Sequence, residues 1–188
     1  MPNSLWVFIT APWYKMATPA IGSSTMSRLD SFLRRITAQR DCLNAAVELV
    51  RDVAGPVLEL GLGNGRTFDH LRQQLPEREI FVFDRRVAAH PECVPDDDHM
   101  ILGDFHDTLG TALERIGRPA ALAHCDMGSG NSEADSRLAR SVGSLLNPIM
   151  VAGGIVVSDQ AMTVARWEAL SLPPGTAPHR YHMWRVKD

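Results

Sequence analysis

The sequence predicts an α/β fold of the Rossmann-like, doubly wound kind: a mostly parallel sheet with helices on both faces and a shortened C-terminal part. Three observations carry that reading. Short apolar runs alternate with amphipathic stretches from "PVLELG" to "GGIVVSD". The runs are nearly continuous in apolar residues, as strands buried on both faces must be. A glycine-rich turn, Gly61, Gly63 and Gly65, follows the first run and opens directly into a helical pattern.

Each element follows from local pattern. Residues 27 to 53 read as helix, with Leu29, Phe32, Leu33 and Ile36, then Leu43, Ala46, Val47 and Val50, at helical spacing. Gly55-Pro56 breaks it. "PVLELG" is the first strand, and "RTFDHLRQQL" is a helix with Phe68, Leu71 and Leu75 on one side, closed by Pro76. "EIFVFD" is the second strand, ending in Asp84. A short helix and the solvated loop "HPECVPDDDH" lead to a third strand, "MILGD". "HDTLGTALERIG" is a helix and "PAALAHCD" the fourth strand. "SEADSRLARSVGSLL" is a helix with Ser132 as N-cap and Asp135 three residues on, a capping-box variant. "GGIVVSD" is the fifth strand, "QAMTVARWEAL" a helix, and "HRYHMWRV" a last strand.

The 188 residues suffice for one domain with a full core. We expect that domain over residues 26–188, preceded by a flexible extension over residues 1–25, with Met26 as an alternative start. "LWVFITAPWY" is too short to span a bilayer, and "MPNS" lacks the basic region of a signal peptide. A net charge of −3 gives no broad electrostatic grip on nucleic acid. Cys42, Cys93 and Cys125 are widely spaced and form no zinc pattern, so reduced thiols in a cytoplasmic protein are expected.

In doubly wound sheets the ligand lies beyond the carboxyl ends of the strands. Those ends are Glu59 to Gly65, Asp84-Arg85, Gly103-Asp104-Phe105, Asp126-Met127-Gly128 and Ser158-Asp159-Gln160. Every one of them carries an acid. A dinucleotide fingerprint needs a packing glycine or alanine where Arg66 stands, and no Gly-Lys-Ser/Thr follows for a P-loop. An acid-rich cleft suits a cationic ligand and repels a pyrophosphate.

At these residues the chain resembles the class I S-adenosylmethionine-dependent methyltransferases, over roughly residues 57–159. "VLELGLGNGR" looks like their first motif, and Asp84 matches the acid ending their second strand. "LGDF", "AHCDMG" and "GGIVVSD" resemble the segments that follow in order. More narrowly, the ensemble is similar to a small group of short bacterial methyltransferases of unassigned substrate. The resemblance implies S-adenosylmethionine as cofactor, with S-adenosylhomocysteine as product. It assigns cofactor contact to Glu59, Gly61, Gly63, Asn64, Gly65, Asp84, Arg85, Asp104, Phe105, Asp126 and Met127. In it, Glu59 lies near the cofactor ammonium, Asp84 accepts the ribose hydroxyls, and Asp104 and Phe105 flank the adenine. Three plainer readings stand beside these: Asp84 as a solvated strand end, Asp104 as a helix N-cap, and Phe105 as core.

Asp126, His124 and Asp159 are the catalytic candidates. His106 is a further candidate base, and a structural, hydrogen-bonded role is open to both histidines. In catechol-type relatives an aspartate after the fourth strand and Asp-Asn after the fifth hold a divalent metal. Here the matching set is Asp126, Asp159 and Gln160, with glutamine in the asparagine place. "CDMGSG" replaces the Asn/Asp-Pro-Pro-Tyr of methyltransferases acting on nucleic-acid bases, which directs the reading to a small-molecule acceptor, with no nucleic acid and no membrane as partner. After the last predicted helix, "GTAPHRYHMWRVKD" leaves room for one strand, where relatives have an antiparallel pair. That absence leaves acceptor choice to the N-terminal helices, to the loop near Asp159, or to the partner subunit of a homo-oligomer. It also keeps open a non-catalytic S-adenosylmethionine-binding sensor or scaffold.

Overall fold

In the computed structural model, residues 26–188 are described, and the extension expected over residues 1–25 lies outside them. Ser27 opens the first helix, α1 (Arg28–Leu49), its hydroxyl accepting from the Asp30 N–H at 3.0 Å. The chain then alternates through β1 (Val57–Leu60), α2 (Arg66–Gln74), β2 (Ile80–Asp84), β3 (Met100–Leu102), α3 (Phe105–Gly110), α4 (Ala112–Ile116), β4 (Ala120–Cys125), α5 (Ser132–Leu146) and β5 (Met150–Ser158). It closes with β6 (Trp167–Ala169) and β7 (His182–Val186).

The seven strands lie in the order β3-β2-β1-β4-β5-β7-β6. The first five are parallel, and β7 runs antiparallel to both β5 and β6. Alternate residues of β1 feed two cores. Leu58 and Leu60 pack with Leu109, Ala139, Val142 and Leu146 of the α3–α5 face. Val57 packs with Leu43, Ala46, Val47 and Leu71 of the α1–α2 face. Strand alternation thus produces the doubly wound arrangement directly. No helix among the described residues is long and apolar enough to cross a membrane.

Four local expectations are corrected. No helix forms over residues 85–89; the connection instead has a 3₁₀ turn at Pro91–Cys93. The helix after β3 is broken at Thr111, next to Gly110, whose missing side chain weakens a helix interior. The N-cap of α5 is Asn131, whose side chain accepts from the Ala134 N–H at 3.1 Å, and Asp135 turns back to the Ser129 and Gly130 N–H groups.

The fourth correction matters most. "QAMTVARWEAL" is not helical; its end forms β6, so the antiparallel pair missing from the sequence reading is present. Trp167 lies opposite Val186 and its ring sits 6.0 Å from that of Trp184. The β6 pairing covers the outer edge of β7, which a helix here would have left open. The C-terminal part is short because a helix is absent, not because the hairpin is.

Candidate functional site

The site is built at the carboxyl ends of β1, β2 and β4. Gly61, with φ +94°, turns the chain so closely over β4 that a Cβ there would lie 2.3 Å from the Asp126 carbonyl oxygen. Gly65, with φ +82°, is the N-cap of α2, and a Cβ there would meet Cys93 at 2.5 Å. Gly63 has φ +52° and no neighbour in the direction of a Cβ. Two glycines therefore answer to packing, and the middle one faces open space.

Asp84 pins this loop from β2. Its Oδ2 accepts the Leu62 N–H at 2.8 Å and the Gly63 N–H at 3.3 Å, and its Oδ1 accepts the Arg86 N–H at 3.1 Å. It is not a bare solvated strand end. One lone-pair site remains, on Oδ1, for a further donor. Between this loop and α1 lies a cavity of about 130 Å³, lined by Arg35, Gln39, Gly61, Gly63, Asn64 and Asp126 among others.

Glu59 does not open on that cavity. It is fully buried within β1, its Oε1 accepting the Thr67 hydroxyl and its Oε2 lying 2.7 Å from His124 Nδ1. His124, on the neighbouring β4 in direct register, is equally buried, and its Nε2 lies 2.9 Å from the Tyr181 hydroxyl. Gln39 Nε2 then donates to the Tyr181 oxygen at 2.8 Å and to Asp126 Oδ2 at 2.9 Å. A continuous polar chain thus runs from inside the sheet to the rim of the cavity. Burial lowers the His124 pKa, but the charge and hydrogen bond of Glu59, with Asp126 and Asp159 behind it, outweigh this and leave it raised. Burial likewise pushes the Tyr181 phenol well above its usual value.

The expectation of Glu59 at the cofactor is therefore corrected: a carboxylate with both oxygens engaged inside the sheet holds structure. His124 is also removed from the candidate bases, because both ring nitrogens are occupied and no water reaches it. His106 is exposed, its Nδ1 2.8 Å from Asp104 Oδ1 and its Nε2 2.6 Å from Ser141 Oγ, so it joins α3 to α5. Asp104 is the N-cap of α3, accepting the His106 N–H at 3.0 Å; that bond and the imidazole beside it hold its pKa down. Phe105 packs, half-buried, against the core of that face.

The acids proposed for a metal do not converge. Asp159 Oδ1 accepts the Met127 N–H at 3.1 Å, and its Oδ2 accepts the Gly128 N–H and the Gln160 amide, each at 3.0 Å. Burial raises the Asp159 pKa against these bonds. Asp126 Oδ2 faces Gln39, with the Arg35 guanidinium 3.8 Å away. Carboxylates facing N–H donors and an arginine are not a cation's oxygen cage. Among the described residues, no three His, Cys, Asp or Glu side chains form a metal group.

Sequence reasoning missed Arg35, Gln39 and Tyr181. Gln39 carried a faint signal, since it falls beside Ala38, Cys42 and Leu43 on the buried side of α1. Tyr181 carried none, because its contact partners are 57 and 142 residues away.

The family whose sequence model matches residues 26–186 is described as S-adenosyl-L-methionine methyltransferase. A crystal structure of an S-adenosyl-L-methionine methyl transferase from Silicibacter pomeroyi DSS-3 is similar with a TM-score of 0.81 and 45% identity, over 86% of this chain and 99% of that one. The methyltransferase MycE of the mycinamycin biosynthetic pathway, in complex with Mg and S-adenosylhomocysteine, is similar in fold with a TM-score of 0.51 at 16% identity, over 84% of this chain and 47% of that one. No curated protein matches the sequence.

Proposed function

From its membership of the S-adenosyl-L-methionine methyltransferase family, we propose that this chain transfers a methyl group to a small-molecule acceptor, with the cavity under the glycine loop holding the amino-acid end of the cofactor. Residues 26–188 act as one catalytic domain in this reading. One observation carries it: a loop of left-handed glycines, pinned by Asp84, overhangs a cavity with one acid on its rim, and Gly63 leaves the approach open.

S-adenosylmethionine supplies an electrophilic methyl group on a sulfonium centre. This chain's residues bind and orient. Asp126 is the acid that faces the cavity, and it takes the ammonium role that the sequence suggested for Glu59. Arg35 and Asn64 lie at the same cavity and answer the cofactor carboxylate. Asp84 holds Leu62 and Gly63 in place and retains acceptor capacity on Oδ1 for a ribose hydroxyl. The cavity's 130 Å³ accommodates only part of such a ligand, since whole-ligand sites run to about 300 Å³ or more. The adenosine part extends along Asp84, Arg85 and the Asp104-Phe105 turn.

Transfer is an in-line displacement, so alignment and exclusion of water contribute most of what the protein supplies. No metal step is derived, because the Asp126, Asp159 and Gln160 set does not suit a cation. The sensor or scaffold alternative rested on a missing hairpin, and β6 with β7 removes that ground.

The test is transfer of labelled methyl from S-adenosylmethionine to a panel of phenols, carboxylates and amines. Acceptor-dependent formation of S-adenosylhomocysteine is expected. Turnover with oligonucleotides and none with small molecules would overturn the acceptor assignment.

A further inference from the structure

We propose that Gln39 is a positioning residue for the cofactor, clamping Asp126 at the cavity rim in an orientation that Tyr181, His124 and Glu59 fix from inside the sheet. The proposal rests on the assignment of Asp126 to the cofactor ammonium.

The polarity of the chain follows from chemistry. The Asp126 carboxylate only accepts, so the Gln39 amide must turn its nitrogen, not its oxygen, to Asp126 Oδ2 at 2.9 Å. The other N–H of the same nitrogen then goes to the Tyr181 oxygen at 2.8 Å. With the imidazole neutral, the Tyr181 proton goes to His124 Nε2 and the ring proton sits on Nδ1, toward Glu59 Oε2; in the imidazolium form that Glu59 favours, Nε2 donates to the Tyr181 oxygen instead. The sense of the Gln39 bond to Asp126 is the same in both states. Reversing the amide would set its carbonyl against the carboxylate.

Burial makes that sense costly to change. Glu59, His124 and Tyr181 have no exposed surface, and Gln39 is 5% exposed. Four parts of the chain meet here: α1 supplies Gln39, the residue just before β7 is Tyr181, β4 supplies His124 and β1 supplies Glu59. Among the described residues, the other charges around Asp126 are Arg35 from α1, Asp159 after the end of β5, and Arg66, which lines the same cavity. Arg35 is 3.8 Å from Asp126 Oδ2 and its side chain is 41% exposed, so it screens the carboxylate without fixing its direction. Among the described residues, Gln39 alone donates a short bond to it. The same residue ties α1, which walls the cavity, to the sheet beneath.

The experiment replaces the amide by a carboxyl, Gln39→Glu, and follows S-adenosylhomocysteine affinity by calorimetry between pH 5 and 8, always as a ratio to the unaltered protein. Two carboxyls in one site cannot both ionise freely. At low pH the introduced carboxyl is protonated and its one O–H donates to Asp126 in place of the amide N–H, with the donation to Tyr181 lost, so the ratio is closest to one there. At high pH both groups are charged, the clamp opens, and affinity falls about tenfold or more relative to the unaltered protein. A merely structural role predicts a ratio that does not change with pH, and that result would overturn the proposal. Circular dichroism establishes that the variant is folded. If it is not, Tyr181→Phe, which keeps the ring and removes the hydroxyl, decides: weaker binding of S-adenosylhomocysteine at unchanged secondary structure supports the chain, and unchanged affinity contradicts it. Failure of the unaltered protein to bind S-adenosylhomocysteine would instead overturn the site assignment itself.

Discussion

His124 and Glu59 face each other across two neighbouring parallel strands, Nδ1 to Oε2 at 2.7 Å, with neither side chain exposed to water. An acid in the middle of a parallel sheet is sustainable only with such a partner. Removing the partner leaves the carboxylate buried and uncompensated. His124→Ala is expected to lower the unfolding free energy by about 3–5 kcal/mol. Urea denaturation measures it, and a loss below about 1 kcal/mol would contradict the pairing.

The three loop glycines separate by variant. Gly61→Ala forces a Cβ to within 2.3 Å of the Asp126 carbonyl and is expected to disrupt the loop and lower stability. Gly63→Ala meets no protein atom, and costs only the left-handed conformation of an alanine, about 1–2 kcal/mol. Gly63 lines the cavity proposed to hold the cofactor, so the added methyl group is expected to crowd that ligand. The expected result is a folded protein whose S-adenosylhomocysteine affinity is at least about tenfold lower, read by thermal unfolding and calorimetry together.

Stability should fall on the alkaline side. Burial pushes the Cys42 thiol up to about 11 from 9.0, and drives the Cys125 thiol and the Tyr181 phenol well above their ordinary values. The folded state therefore holds these protons after the unfolded chain has lost them. Their contribution is complete below about pH 9 and declines as pH rises through the folded values. Unfolding free energy measured from pH 7 to 11 should show the decline, and a thiol reagent at pH 7 should modify the half-buried Cys93 ahead of the buried Cys42 and Cys125.

Metal removal should change nothing at Asp159. Its two oxygens already accept three N–H bonds, from Met127, Gly128 and Gln160. Turnover in EDTA is expected to equal turnover without it. A loss restored by Mg²⁺ would show that Asp159 and Gln160 rearrange to bind a cation.

The sequence displayed what depends on neighbours along the chain. Apolar strand runs, the Ser27 cap and the glycine turn are local, and so is the placement of acids at strand ends. It misled where a local pattern met a tertiary demand. "QAMTVARWEAL" has helical spacing, yet its Trp167 serves the sheet edge beside Trp184. Glu59 ends an apolar run and reads as a cleft acid, but its surroundings depend on His124, 65 residues away. Asp104 was legible in both of its readings, and the observed one is the N-cap. Gln39 and Tyr181 acquire their meaning only when α1 packs on the sheet beside the start of β7.

The cavity beneath the loop pinned by Asp84 is the proposed seat of S-adenosylmethionine. Calorimetric titration of the unaltered protein and of Asp84→Ala with S-adenosylhomocysteine, with NAD as control, tests it most directly. One-to-one binding to the unaltered protein is expected, with no response to NAD and a loss of about a hundredfold in affinity for Asp84→Ala, whose removal frees the Leu62 and Gly63 N–H groups. Equal affinity in the two proteins, or heat with NAD and none with S-adenosylhomocysteine, would contradict it.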